Sequence, residues 1–383
     1  MAVYLDNSAT TRPSDAVIAA MTEAMAAGWH NPSSLYRPAM EAEKRLDAAR
    51  EACLNAAGAA GHRLIFTSGG TEADNLGILG HLRTVKRPGR VLMLATEHPA
   101  VLNCEPEIRR LGHRVEHIPV GRDGVLDLAA LEAMLAGDVV MLCVMQVNNE
   151  VGAAQPIEQV ARLRDRLCPG AALHVDGVQG FLRVPFHFGK SGVQSYALSG
   201  HRIHACKGVG ALILRKDHRV SPLLLGGGQE DDLRSGTENT PGIIGLGEAV
   251  RTYPADGAAR MTALRARLWQ GIQAAVPEAI LNGPALDSPY AAPHILSVSL
   301  PPVRSQTMLF ALEGEGIYVS NGSACASRKQ RVSASLTAMG LTTQQADCTI
   351  RLSLCPDLTE ADMDEAARAI GKHYGMLKAF VRR

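Results

Sequence analysis

The segment 199–210 carries the residue types on which any chemical assignment of this chain depends. It reads Ser-Gly-His-Arg-Ile-His-Ala-Cys-Lys-Gly-Val-Gly and lies between two apolar runs, 194–198 and 211–214, that favour strands. A polar, glycine-rich loop between two strands allows a ligand to contact backbone and side chains together. The loop contains an arginine, Arg202, and a lysine, Lys207. Which of these two side chains participates decides the chemistry.

Four further groups suit a ligand with a phosphate and an aromatic ring. Gly70 and Thr71 lie in Ser-Gly-Gly-Thr before a predicted helix, whose free N–H groups bind anions, although a plain N-cap explains Thr71 about as well. His98 follows a predicted strand, where a lone histidine is usually just solvated. Asp176 ends Leu-His-Val-Asp, and such acids often only cap the next turn, while Gln179 is uninformative by itself. Taken singly, these residues leave both interpretations open.

The elements that must position these groups alternate regularly along the chain. Apolar runs predict strands at 63–67, 90–95, 114–118, 139–147 and 172–176. Amphipathic segments predict helices at 14–26, 39–57, 72–82, 100–111, 128–135 and 157–167. This alternation predicts an α/β fold with a mostly parallel sheet and helices on both faces. Ligands of such sheets bind beyond the carboxyl ends of the strands, where the polar clusters lie.

A Pro/Gly-rich segment at 277–293 marks a change of domain. Beyond it, strands are predicted at 295–300, 317–319 and 349–354, and helices at 306–313 and 359–380. We therefore expect an N-terminal segment, 1–14, that joins the small domain, a large α/β domain over 15–256, and a small α+β domain over 257–383.

Composition excludes several classes of function. The chain has 383 residues, with 39 Lys and Arg against 38 Asp and Glu, which gives no case for nucleic acid or an acidic membrane surface as a partner. No apolar run approaches the ~20 residues that span a bilayer, and the N-terminus does not resemble a signal peptide. The eight cysteines show no close CxxC spacing and predict no metal site. We expect free thiols in a reducing, cytoplasmic compartment.

Ten motifs, taken in order, resemble the cysteine desulfurases of the class V aminotransferase group of pyridoxal-phosphate enzymes, most closely those of the nitrogen-fixation type. They include Tyr-Leu-Asp-Asn-Ser-Ala-Thr-Thr, Thr-Ser-Gly-Gly-Thr-Glu, Thr-Glu-His-Pro-Ala-Val, His-Val-Asp-Gly-Val-Gln, Arg-Ser-Gly-Thr-Glu-Asn and Gly-Ser-Ala-Cys-Ala-Ser. The likeness covers nearly the whole chain. It implies the fold of the fold-type I pyridoxal-phosphate enzymes, with a sheet of the seven-stranded type.

The resemblance also implies a role for each residue in a site for pyridoxal 5'-phosphate. Asp176 pairs with the pyridine nitrogen, so that the ring acts as an electron sink, and His98 stacks on the ring. Gln179 and Asn149 hold the phenolic oxygen. The phosphate is held by four residues: Gly70, Thr71, Ser199 and His201.

Substrate and partner follow from the same resemblance. Arg351 clamps the carboxylate of L-cysteine or a similar amino acid, a planar task that suits a guanidinium, and Asn31 assists it. Thr237 reaches the phosphate of a neighbouring subunit, which implies a homodimer with shared active sites. Cys325 takes the substrate sulfur as a persulfide, leaves alanine, and passes the sulfur to a protein acceptor such as an iron–sulfur scaffold. For a lone cysteine the alternative is an inert buried thiol, but this polar, glycine-rich loop favours a reactive one.

One departure from the family pattern affects the centre of the chemistry. The Schiff-base lysine of the family directly follows the histidine of Ser-Gly-His, and that position is Arg202 here. A guanidinium stays protonated, cannot form an imine and is a poor base. Lys207 matches a second family lysine and is expected to be a bystander. Further departures are Tyr36, Cys206 and the basic run 328–331.

Three explanations of Arg202 remain open at this point. It is an engineered Lys-to-Arg substitution, or the protein holds its cofactor without a covalent bond, or the cofactor has been lost. The main prediction is a cysteine desulfurase. The alternative is a catalytically impaired homologue that acts as a scaffold or sulfur carrier, with the cofactor absent or bound without a covalent link.

Overall fold

A computed structural model describes residues 2–321 and 333–380. The strands are β1 (Val3–Tyr4), β2 (Arg63–Thr67), β3 (Arg90–Leu94), β4 (Arg114–Ile118), β5 (Val139–Cys143), β6 (Ala172–Asp176), β7 (Ser195–Ser199), β8 (Gly210–Leu214), β9 (Ile280–Asn282), β10 (Ile295–Ser299), β11 (Ile317–Tyr318) and β12 (Thr349–Ser353).

The helices pack around these strands. They are α1 (Asp15–Ala26), α2 (Arg37–Ala56), α3 (Gly70–Leu82), α4 (Pro99–Leu102), α5 (Glu105–Arg110), α6 (Leu128–Met134), α7 (Ile157–Leu167), α8 (Phe188–Ser191), α9 (Thr240–Thr252), α10 (Gly257–Ala275), α11 (Ser305–Glu313), α12 (Ala334–Ala338), α13 (Thr343–Asp347) and α14 (Glu360–Lys378), with a 3₁₀ turn at Gly200–Arg202. Within the described ranges, no helix is both long and apolar enough to cross a membrane.

The central sheet has the strand order β2-β8-β7-β6-β5-β3-β4 in the described part of the chain. Its strands are parallel except for β8, which runs antiparallel to both β2 and β7. Every residue of β6, β7 and β8 is buried, as expected for central strands covered on both faces. The predicted mostly parallel, seven-stranded sheet is confirmed.

A second, antiparallel sheet has the order β12-β10-β9 and packs on a separate core with α10 and α14. The N-terminal strand β1 pairs in parallel with β11, and Val3 and Leu5 are buried in this second core. Asp6 forms a bridge to Ser353 at the end of β12. The chain therefore begins against elements from its C-terminal third, while the domain limits at 14 and 256 remain predictions.

Two predicted elements have different limits in the structure. The helix predicted at 100–111 is two short helices, because Pro106 lacks the N–H that would bond to Leu102 and its ring clashes with that carbonyl. The strand predicted at 139–147 ends at Cys143, after which the chain continues beside β6 through Val144 N–H to His174 O at 3.0 Å. The short elements β9, α8, α12 and α13 were not predicted, because segments of three to five residues show no usable periodicity.

Candidate active site

A cleft of about 430 Å³ opens beyond the carboxyl ends of the central parallel strands. Its walls come from the start of α3, the ends of β6 and β7, and the loops after β3 and β5. The lining residues are Gly70, Thr71, Asp74, His98, Met145, Asn149, Asp176, Val178, Gln179, Ser199, His201 and Arg202. Eight of the nine residues predicted to bind the cofactor lie here, together with Arg202.

The acidic end of the cleft is built from Asp176 and His98. Asp176 is 6% exposed, and its Oδ1 accepts the N–H of Val178 at 2.9 Å. Burial raises the pKa of this carboxyl, while the neighbouring His98 and Arg202 act in the opposite direction. A cationic ring nitrogen beside Asp176 would therefore relieve the cost of burying its charge.

His98 is held in one orientation and one protonation state. It caps α4, where its Nδ1 accepts the N–H of Ala100 at 3.1 Å, so the ring proton is on Nε2. Burial lowers the pKa of His98 below its usual value, so the imidazole is neutral at pH 7. A neutral, fixed, planar ring is suited to stacking on a cofactor ring.

A second part of the cleft, called the anion end here, favours an anion. Gly70 and Thr71 form the first turn of the 13-residue helix α3, whose N-terminal N–H groups and dipole favour negative charge. A Cβ on Gly70 would lie 2.6 Å from Val178 Cγ2, so glycine allows α3 to approach the loop after β6. Glu72, the acid in this turn, is paired with Arg234 at 2.9 Å.

Ser199 and His201 complete the anion end. Ser199 ends β7, and His201 contacts Thr10 Oγ1 through Nδ1 at 3.2 Å, which leaves Nε2 for a ligand. Burial, with the positive charges of Arg202, Lys207 and Arg183, lowers the pKa of His201 to about 4. The imidazole is therefore a neutral hydrogen-bonding group at pH 7.

Gln179 is tied into a buried network that sequence reasoning did not find. Its Nε2 donates to the carbonyl of Ser8 at 3.0 Å, and its Oε1 accepts from Arg183 Nη1 at 3.0 Å and contacts His294 Nε2 at 3.2 Å. Arg183 is 2% exposed and also donates to the carbonyl of Arg202. Its signal in the sequence is a lone arginine within Gly-Phe-Leu-Arg-Val-Pro, which is too weak to assign a partner.

Arg202 lies in the cleft with its backbone fixed and its side chain incompletely bonded. Its carbonyl accepts from Arg183, and its buried Nε has no hydrogen-bond partner among residues 2–321 and 333–380. Burial, followed by the charges of Arg183 and Arg351, lowers the pKa of Arg202 to about 10. The group still carries a full positive charge at pH 7. Lys207 is exposed and does not line the cleft.

Two buried carboxyl groups near the cleft were also missed. Asp74 lines it and contacts His174 Nε2 at 3.2 Å through Oδ1, while His174 Nδ1 lies 2.8 Å from Ser195 Oγ. Glu97 is 3% exposed, and neither of its carboxylate oxygens has a hydrogen-bond partner within the described residues. Burial and the charge of Asp176 raise the pKa of Glu97 well above its usual value.

The predicted substrate residues, Arg351 and Asn31, do not line the cleft. Arg351, in β12, is 2% exposed, pairs with Asp6 Oδ1 at 2.7 Å and donates to the carbonyl of Asn149 at 2.9 Å. Asn31 and Thr237 are exposed and do not line the cleft. Cys325 and the basic run 328–331 lie outside the described residues. The roles of these residues remain predictions.

The other two departures from the family pattern do not line the cleft of this protomer. Tyr36 is exposed at the start of α2, and Cys206 is partly buried beyond the 3₁₀ turn. Within this cleft, the change of consequence is therefore Arg202.

The profile of the family described as "Aminotransferase class-V" matches residues 3–365. The chain belongs to this family. Among its class V relatives, cysteine desulfurase NifS of Azotobacter vinelandii is 37% identical over 372 residues, covering 96% of this chain and 91% of the relative. A cysteine desulfurase of Cereibacter sphaeroides is 38% identical over 379 residues, covering 98% and 97%. A solved structure titled "NIFS-LIKE PROTEIN" superposes with a TM-score of 0.91 at 34% identity, covering 98% of this chain and 100% of that one.

The cofactor of this family, pyridoxal phosphate, fits the donor groups of the cleft. The anion end suits its phosphate, the fixed ring of His98 suits stacking, and Asp176 suits the pyridine nitrogen. The poor fit is at Arg202, since a guanidinium cannot provide the family's covalent link. The cleft therefore suits a cofactor that is held without a covalent bond.

Proposed function

We propose that this class V aminotransferase chain removes sulfur from L-cysteine with pyridoxal phosphate. The observation that carries the proposal is the convergence of Asp176, His98, Ser199 and His201 on one cleft. A protein without the cofactor has little use for a buried acid and a fixed histidine that line the same cleft. The relatives named cysteine desulfurase support the choice of substrate.

Each end of the cleft contributes a separate task. When bound, the cofactor supplies an electron sink for the charge that develops on the substrate. Asp176 keeps a proton on the ring nitrogen, and neutral His98 orients the ring. Thr71, Ser199, His201 and the start of α3 hold the phosphate. These contacts replace the covalent anchor that Arg202 cannot provide.

Arg202 acts through its charge. A cation at this position attracts the phenolic oxygen or a substrate carboxylate and opposes the cost of burying Asp176, whose pKa it lowers. Arg183 donates to the carbonyl of Arg202 and so fixes the backbone from which this charged side chain extends.

Sulfur leaves through Cys325, whose thiolate attacks the substrate sulfur. An S–S bond forms as the substrate C–S bond breaks, and the electron pair left on carbon takes up a proton to give alanine. The persulfide then passes to a protein acceptor such as an iron–sulfur scaffold. Arg351 and Asn31 are assigned to the substrate carboxylate, which requires Arg351 to exchange Asp6 for the substrate.

The working unit is proposed to be a cytoplasmic homodimer with shared sites. The exposed position of Thr237 suits contact with a phosphate bound in a neighbouring subunit. Within each subunit, residues 15–256 form the large domain that binds the cofactor, and residues 257–383, joined by 1–14, form the small domain with Cys325 and Arg351.

A second candidate is a non-catalytic scaffold or sulfur carrier, and the observation that favours it is Arg202 itself. Because this position has no lysine, no side chain that lines the described cleft can both form an imine with the cofactor and accept a proton as a base. The two candidates differ in whether the protein forms alanine from cysteine, because the scaffold has its cofactor either absent or bound without a covalent link.

The test combines spectroscopy with product analysis. Purified protein is reconstituted with pyridoxal phosphate, its absorption is recorded, and it is reduced with borohydride before mass analysis of the intact chain. We expect bound, yellow cofactor without a covalent adduct in the wild type and in the control Lys207→Arg, but a covalent adduct in Arg202→Lys. Alanine formation from cysteine should rise about 10²–10⁴-fold in Arg202→Lys, the range of general acid–base catalysis.

Other outcomes decide against the proposal. A protein that binds no pyridoxal phosphate and forms no alanine is the scaffold of the second candidate. A wild-type adduct that disappears in Lys207→Arg would show that Lys207 forms the link. Cys325→Ala should form no persulfide, and an unchanged rate would remove Cys325 from the mechanism.

A further inference from the structure

Three side chains with metal-binding atoms converge outside the cleft. His204, Cys355 and Asp357 each place one such atom within 4.8 Å of the others. His204 lies just beyond the 3₁₀ turn that carries Arg202, and the other two lie between β12 and α14. The fold brings these parts of the sequence together, and the proposed function uses none of the three.

His204 is fixed at the backbone and at the ring. Its N–H donates to Thr11 Oγ1 at 2.8 Å, its carbonyl accepts from Ser14 at 3.0 Å, and its φ is 65°. Ring Nδ1 lies 3.0 Å from the carbonyl of Arg12, which can only accept, so Nδ1 carries the proton. The lone pair is therefore on Nε2. Metal-binding histidines are oriented in this way, with the second ring N–H donated to a carbonyl.

Cys355 and Asp357 form the other half of the cluster within one turn. Burial raises the pKa of the Cys355 thiol, and the backbone N–H groups of Asp357 and Leu358 act in the opposite direction. Cys355 is 9% exposed, and the carboxylate of Asp357 is exposed. Arg183 is nearby, but its Nη groups are already used by Gln179 and by the carbonyl of Arg202.

We propose that His204, Cys355 and Asp357 bind one divalent transition-metal ion of the zinc type, with a fourth position for water. Zinc bonds to nitrogen and sulfur of about 2.0–2.3 Å place tetrahedral ligands roughly 3.6 Å apart, so the cluster needs only a small contraction. A thiolate and an imidazole select zinc-like ions over magnesium or calcium. The thiol proton passes to solvent as the metal–sulfur bond forms, and the two anionic ligands balance the charge of the ion.

The bound ion would connect two parts of the chain that the cleft depends on. His204 is two residues from Arg202, and Asp357 precedes Thr359, the N-cap of α14. A metal here fixes the loop after β7 against the α14 end of the molecule. The site is therefore structural, and its effect on the cleft is positional.

Cobalt(II) is the most direct probe, because thiolate coordination gives an intense near-ultraviolet charge-transfer band that other ligands do not give. Full-length, reduced, chelator-treated protein is titrated with Co(II), and Zn(II) is then added as a competitor. We expect one equivalent of Co(II) to produce the band and Zn(II) to remove it. Cys355→Ser should abolish the band. Asp357→Asn, at an exposed position that does not threaten folding, should weaken binding at least about tenfold, as even outer-shell changes do.

Two cysteine variants serve as matched controls. Cys348→Ser, a buried thiol at the other end of β12, and Cys325→Ala should both retain the band. A band that disappears in Cys325→Ala and persists in Cys355→Ser would place the metal at Cys325 and overturn the proposal. Absence of a band in the wild type, or unchanged Co(II) affinity in Asp357→Asn, would also overturn it.

Discussion

Removal of the carboxylate of Asp6 should leave a buried, uncompensated charge at Arg351. Arg351 Nη2 lies 2.7 Å from Asp6 Oδ1, and Nη1 donates to the carbonyl of Asn149 at 2.9 Å. In Asp6→Ala the guanidinium keeps one carbonyl partner and loses its counter-ion. The pair joins the first residues of the chain to β12, so its loss should destabilise that junction.

The size of the effect follows from the exposure of the two partners. Breaking a buried pair by removing one member costs about 3–5 kcal/mol. The Arg351 side chain is 2% exposed but that of Asp6 is 21% exposed, so the free energy of unfolding should fall by about 3 kcal/mol. At an unfolding entropy of about 2.1 cal/mol/K per residue, this change lowers Tm by about 4 °C if the chain unfolds as one unit.

Thermal unfolding measured by calorimetry on the apoprotein tests this prediction. The matched control is Asp15→Ala, which breaks an equally short pair with Arg12 whose side chains are 77% and 84% exposed, and it should cost less than about 1 kcal/mol. The double variant Asp6→Ala/Arg351→Met should recover part of the lost stability, because it removes the uncompensated charge. Equal Tm changes in Asp6→Ala and Asp15→Ala, or no recovery in the double variant, would refute the reasoning.

Two further substitutions test buried groups beside the cleft. Burial raises the pKa of Glu97 well above 4.5, its usual value in the unfolded chain. Its contribution to stability is therefore full below pH 4.5 and falls, by up to about 1.4 kcal/mol per pH unit, as the pH rises towards the folded pKa. Glu97→Gln should remove this slope, as measured by urea unfolding at pH 5 and pH 7, and an unchanged slope would mean that Glu97 is ionised in the folded protein. Gly177→Ala would place a Cβ 1.9 Å from Tyr196 Cζ and should cost about 1–3 kcal/mol in urea unfolding. Gly170→Ala, with nothing within 4 Å, should be near neutral, and similar midpoints for both variants would contradict this account.

The fold and the composition of the cleft were predictable because both depend on local signals. Apolar runs alternate with amphipathic segments, so the parallel sheet followed from periodicity, and its carboxyl ends gave the position of the site. The motif order then supplied the cofactor residues that line the cleft. The single helix predicted at 100–111 was wrong, although the sequence contained the reason. Pro106 breaks a helix, and its position alone could have predicted two short helices.

The contacts between distant residues could not be predicted. Asp6 and Arg351 are 345 positions apart, and no pattern along the chain indicates that they pair. Arg183 reaches both Gln179 and the carbonyl of Arg202, but in the sequence it is one arginine among 39 basic residues. The contact between His204 and Cys355 was also not predictable from the sequence, because it depends on how the loop after β7 packs against the turn after β12. Sequence patterns predict which face of a helix or strand is buried. They do not predict which polar side chains contact each other there.

The energetics of the cleft favour a bound cofactor over a pure scaffold. Asp176, Asp74 and Glu97 are three nearby carboxyl groups, and burial raises the pKa of each. Such a cluster costs stability unless a cation enters it. Arg202 supplies part of that charge from the position of the family's lysine, and because a guanidinium stays protonated, it does so permanently. A protonated ring nitrogen would supply Asp176 with a further positive partner. Arg202 cannot form a covalent link to a cofactor, but it places a positive charge beside Asp176 and lowers the pKa of that carboxyl.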